Sequence, residues 1–102
     1  MAYNFRMEFE WDAAKEKKNR ALHGISFLEA TELFTSGADY LEIFDEVHSQ
    51  DEDRFITIGP IRRGVVVVVF TERDEETTRI ISARLATALE AGLLRRHMGE
   101  KA

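Results

Sequence analysis

A chain of 102 residues, 44% hydrophobic and 32% charged, has the composition of a soluble globular protein and room for one domain, taken as residues 1–102. It holds no cysteine, which excludes a disulfide framework and a thiolate metal site. Net charge is −5, which argues against nucleic acid held by bulk charge, but acids outnumber bases seven to one over residues 38–60 while bases lead eight to six over 61–102.

A local arginine pocket is compatible with that balance, and the acidic stretch is either a solvated face or a docking face for a basic partner. Met1 to Glu8 lacks the apolar core of a signal peptide. The longest apolar run, Val65 to Phe70, is too short to cross a membrane. Together these point to a cytoplasmic protein.

Residues 1–7 read as a ragged start, followed by a short strand over Glu8–Trp11. Asp12 is a good N-cap for a helix from Ala13 to about His23, and Gly24 can take the left-handed conformation that ends it. Ser26-x-x-Glu29 is a capping box, with Ile25 as a staple onto Ala30, and opens a second helix to about Thr35. Phe27, Ala30, Leu33 and Phe34 are its buried stripe.

The period then changes to two. Strands are expected over Tyr40–Asp45, Arg54–Gly59, Val65–Thr71 and Thr78–Ala83, with turns at Pro60–Gly64 and Asp74–Glu76. Val65–Thr71, β-branched almost throughout, reads as a central strand buried on both faces. Arg84 to about His97 is helical in pattern, with Leu85, Leu89 and Leu93 at four-residue steps. The expected fold is α+β, in the order β-α-α-β-β-β-β-α. It is a small antiparallel sheet with two N-terminal helices and a C-terminal helix against one face.

Lys15, Asn19 and His23 lie four apart and share one helical face. A cation, an amide and an imidazole in a row suit a phosphodiester, though a solvated face has the same spacing. Trp11 is either a core anchor or a base-stacking surface. Glu52 and Arg54 project to one side of an extended segment, and Arg54 shares that side with Ile56 and Ile58. An arginine on a largely apolar face needs an anion, which is either Glu52 or a substrate phosphate. Arg73, Arg79 and Arg84 flank the central hairpin, and their forked donors suit phosphate oxygens. The alternative is that Arg79 or Arg84 pairs with an acid to lock helix to sheet. Ser82 either caps the last helix or touches substrate. No metal motif and no glycine-rich phosphate loop is present.

Several blocks recur together: Phe9-Glu-Trp-Asp12, Lys15, Asn19, His23-Gly24, His48-Ser49, Glu52-x-Arg54, Ile58-Gly59, Thr71-x-Arg73 and Arg79-Ile-Ile-Ser-Ala-Arg84. From about Phe9 to Glu90 this pattern resembles the BrnT family of bacterial type II toxins, ribonucleases of the RelE-like fold. The resemblance implies metal-independent RNA cleavage by the ribose 2′-OH, with no cofactor and with inhibition of translation. It implies His23 as general base or acid, Glu52 as the competing base, and Arg54, Arg73 and Arg79 around the phosphate. Lys15, Asn19 and Arg84 would bind substrate.

A BrnA-type antitoxin is the implied partner, in an assembly of two toxins with two antitoxins that meets DNA only through the antitoxin. Leu22 stands where the family carries a lysine before the His-Gly pair, and the last helix has no tyrosine. These departures open an alternative, a weakened or inactive toxin-fold protein that binds an antitoxin or nucleic acid.

Overall fold

The computed structural model describes residues 7–101, so the ragged start expected over residues 1–7 lies, but for Met7, outside the described residues. Chain order is β1 (Glu8–Glu10), α1 (Ala13–His23), α2 (Phe27–Ala30), α3 (Glu32–Thr35), β2 (Leu41–Phe44), β3 (Arg54–Ile61), β4 (Gly64–Glu72), β5 (Thr77–Leu85) and α4 (Ala88–Lys101).

Local chemistry sets the first helix. The Asp12 carboxylate accepts from the Lys15 backbone N–H at 2.9 Å, and Gly24 closes the helix at φ 74°. The Ser26–Glu29 capping box forms as its spacing predicts. The single helix expected after it is two short ones meeting at Thr31. The Thr31 hydroxyl donates to the Leu28 carbonyl at 2.7 Å, a bond that competes with the regular helical ladder.

The five strands run in the order β1-β5-β4-β3-β2. All neighbours are antiparallel except β1 and β5, which are parallel. Helices cover both faces, not one. Ile25, Phe27, Ala30 and Leu33 pack with Ile61, Val66, Val68, Ile80 and Ala83 on one side. Leu94 of α4 packs with Ile58 and Val67 on the other. This is why Val66, Val67 and Val68 are all buried: successive strand residues face opposite cores. Each such side chain contributes roughly 1.5–3 kcal/mol of burial. Gly59 lets Tyr40 and α3 lie directly on β3, since a Cβ there would stand 2.8 Å from the Tyr40 Cβ.

The last helix begins later than its leucine spacing suggests. Arg84 and Leu85 belong to β5, because the chain completes its pairing with β4, Val67 to Arg84 and Val66 to Leu85, before turning. Thr87, not Ser82, caps α4. The Glu90 N–H donates to the Thr87 hydroxyl at 3.2 Å, and the Thr87 N–H donates to Glu90 at 2.9 Å. Leu89 is consequently 77% exposed, while Leu94 is 4% exposed and carries the packing.

One irregularity decides which side chains meet. Val69 pairs with Ser82 and Phe70 with Ile80, so Ile81 is an extra residue in β5. Without it Arg79 and Arg84, five apart, would face opposite sides of the sheet. With it both face the α4 side.

Candidate active site

The register brings Glu10, Arg79, Thr71 and Arg54 into one row across β1, β5, β4 and β3. The row crosses the α4 side of the sheet, at the end away from the Leu94 contact. Strand spacing puts the Cα atoms of Arg54 and Arg79 about 10 Å apart, a gap two guanidinium groups can close on one phosphate. Phe55 holds the arrangement from behind. It stacks on Phe70 at 5.4 Å, facing the opposite core and so directing Arg54 onto the open face. Thr71 is buried, its hydroxyl donating to the Asp53 carbonyl at 2.6 Å, and forms the floor between the arginines.

The arginines of this end are loosely held. Arg73 Nε is 3.4 Å and Arg79 Nη1 3.7 Å from the two oxygens of Glu10. Arg54 Nη2 is 3.7 Å from Glu52. These separations are longer than good charged hydrogen bonds. Arg54 Nε is buried with no partner, one of two such side-chain atoms among the described residues.

Glu52 and Arg54 also line an open pocket of about 410 Å³ with Val47, His48, Gln50 and Asp51. The structure thus brings together Glu52 with Arg54, and Arg73 with Arg79. Lys15 is exposed on the first turn of α1, whose cap Asp12 feels the charges of Lys15 and Arg79 in addition to the Lys15 N–H that lowers its pKa.

Three expected site residues lie elsewhere. Asn19 is 8% exposed and structural. Its Nδ2 donates to the Ala83 carbonyl at 2.7 Å and to Ile25 at 3.2 Å, and its Oδ1 accepts from the Ala83 N–H at 3.2 Å. β1 covers only the first part of β5, and the Asn19 amide takes a strand's place along the rest.

His23 is remote. Its neighbour Gly24 accepts at 2.8 Å from Arg63, in the β3–β4 turn. That turn is at the opposite end of β3 from Arg54, roughly 23 Å away for an eight-residue strand.

Arg84 is a fastener. It donates to both oxygens of Glu90 at 2.7 and 2.8 Å, joining β5 to α4 and, with the Thr87 bonds, pulling the Glu90 carboxyl down to about 2.

Conversely, Glu10, Thr71 and His48 belong to this end of the molecule although the sequence reading assigned them no site role. His48-Ser49 and Thr71-x-Arg73 stood in the motif pattern and carried that signal. Glu10 stood inside the Phe9-Glu-Trp-Asp12 block, but its place beside Arg73 and Arg79 depends on the β1–β5 pairing. Among the described residues no three of His, Asp and Glu converge to hold a metal ion, and no helix is long and apolar enough to cross a membrane.

A family model described as "Ribonuclease toxin, BrnT, of type II toxin-antitoxin system" matches residues 11–90. No curated protein matches this chain. The crystal structure of the Brucella abortus ribonuclease toxin BrnT is similar in fold, with a TM-score of 0.58 at 24% identity over 79% of this chain and 97% of that one. The α+β architecture and the match across most of the chain agree: this chain belongs to the BrnT family of ribonuclease toxins of type II toxin–antitoxin systems.

Proposed function

We propose that the chain cleaves RNA without a metal ion, by attack of a ribose 2′-OH on the adjacent phosphorus. The products are a 2′,3′-cyclic phosphate and a 5′-OH end. The observation that carries this reading is the Arg54–Thr71–Arg79 row, with an Arg54 Nε that is buried and has no acceptor. A charged group with a donor left that way is costly, and the rest of the Arg54 side chain, a third exposed, can turn to a phosphate oxygen that offsets the cost. Arg54, Arg73 and Arg79 stabilise the charge that develops at phosphorus, and Glu52, beside Arg54, takes the 2′-OH proton. Lys15 steers the strand toward this end. Asn19, Arg84 and His23 are outside the chemistry.

A BrnA-type antitoxin that covers the arginine row is the partner this reading implies. Two toxins would assemble with two antitoxins, and DNA would be met through the antitoxin.

The test is end-labelled RNA in EDTA, with and without ribosomes, beside Arg54→Ala. Cyclic-phosphate ends from the wild type and a loss of at least about 100-fold in the variant are expected. RNA left intact under both conditions overturns the proposal.

A weakened nuclease is the second reading, favoured by Glu10, whose carboxylate lies between Arg73 and Arg79 and competes with phosphate. On that reading Glu10→Gln raises RNA affinity by up to about fivefold, the size of an exposed ion pair. An unchanged affinity removes it.

A further inference from the structure

We propose that His48 is the general acid of the reaction, protonating the 5′-oxygen as the RNA strand breaks, with Asp45 as its positioning residue. The inference rests on the nuclease reading above and supplies what the removal of His23 leaves missing.

The segment between β2 and β3 is tied to the base of Arg54. The Asp45 N–H donates to the Arg54 carbonyl at 2.8 Å, and the Arg54 N–H donates to the Ser49 hydroxyl at 2.9 Å. The Ser49 hydroxyl in turn donates to the Asp45 carbonyl. These bonds close the segment into a ring whose two ends are Asp45 and Arg54, and His48 lies within it.

The His48 ring is held from one side. Nδ1 is 2.9 Å from Asp45 Oδ2, and the His48 N–H donates to Asp45 Oδ1 at 3.4 Å. With Nδ1 turned to a carboxylate, Nε2 is the ring nitrogen left for substrate. His48, Glu52 and Arg54 line one pocket, so a base, an acid and a phosphate ligand share a single open space. No other histidine among the described residues lines it.

The step balances with these groups alone. Glu52 takes the proton of the 2′-OH, and the 2′-oxygen forms its bond to phosphorus. The bond from phosphorus to O5′ breaks, and O5′ takes the proton of His48 Nε2. The products are the cyclic phosphate and the 5′-OH end, with Glu52 protonated and His48 neutral. Exchange with water restores both, and nothing is oxidised or reduced.

The test uses two substrates that differ only in the leaving group. One is an RNA dinucleotide, whose 5′-alkoxide needs a proton. The other is uridine 3′-(4-nitrophenyl phosphate), whose nitrophenolate leaves without one. His48 is exposed, so His48→Gln leaves the core intact. This variant is expected to lose about 100-fold on the dinucleotide and to stay within about threefold of the wild type on the nitrophenyl ester. Glu52→Gln is expected to lose both. Asp45→Asn should lower kcat on the dinucleotide by about tenfold with KM unchanged, again sparing the ester.

Wild-type cleavage of both substrates with no such split in His48→Gln, whether both rates hold or both fall, overturns this inference alone. A wild type that cleaves neither these substrates nor end-labelled RNA, with or without ribosomes, overturns the nuclease reading and this inference with it.

Discussion

Arg54 and Arg84 stand on the same side of the same sheet, two rows apart, and have opposite fates. Arg84 is at the end that α4 covers, and both oxygens of Glu90 meet its fork at 2.7 and 2.8 Å. Arg54 is at the end α4 does not reach, with Glu52 no nearer than 3.7 Å and its Nε buried without a partner. An arginine whose donors are spent inside the protein fastens two elements. One whose partly exposed side chain has no close partner is available to a ligand. Residue type and face are the same, and only the neighbours separate the structural role of Arg84 from the catalytic one proposed for Arg54.

The comparison breaks most readily at the open end. Arg54→Ala should lower kcat for RNA cleavage by about 10²–10³, the size of one lost transition-state donor, with the thermal midpoint nearly unchanged. Arg79→Ala should fall by about 10², measured the same way.

The covered end should respond in stability instead. Asn19→Ala strands the backbone N–H and carbonyl of Ala83 and should cost about 2–3 kcal/mol in urea unfolding. Arg84→Ala should cost about 1–2 kcal/mol, reduced by partial exposure, with cleavage per folded molecule retained.

The Arg84–Glu90 pair also predicts a pH dependence. Its carboxyl is held at about 2 in the folded chain against an ordinary 4.5, so the pair's contribution is complete above pH 4.5. It is lost as pH falls from 4.5 toward 2, and Glu90→Gln should flatten that part of the stability profile. His23→Ala, the smallest effect, should leave cleavage within about threefold of wild type.

What could be read in the sequence was local. Asp12, Gly24 and the Ser26–Glu29 box set their helix ends through residues at most four positions away, and these stand as expected. The start of α4 was equally local, since Thr87-Ala-Leu-Glu90 is itself a capping box. The spacing of Leu85, Leu89 and Leu93 hid it by imitating a longer helix.

The site was less legible because it is a product of register. Arg54, Thr71 and Arg79 meet only if β3, β4 and β5 pair in one alignment and one residue, Ile81, is set aside as a bulge. The parallel pairing that adds Glu10 is likewise a long-range choice. Asn19 misled because a helical face was read as exposed, whereas the short β1 leaves a strand edge that only a side-chain amide there can satisfy. His23 misled through length, because α1 carries it to the far turn.

The most direct test of the central claim, that the uncovered end of the sheet is where RNA is cut, is to assay Arg54→Ala and Arg84→Ala together. RNA cleavage and thermal midpoint would be read on the same preparations. The account predicts a crossed result: Arg54→Ala folded as stably as wild type but at least about 100-fold slower, and Arg84→Ala less stable but fully active while folded. A folded Arg54→Ala that cuts at the wild-type rate, or a folded Arg84→Ala that does not cut, would contradict it.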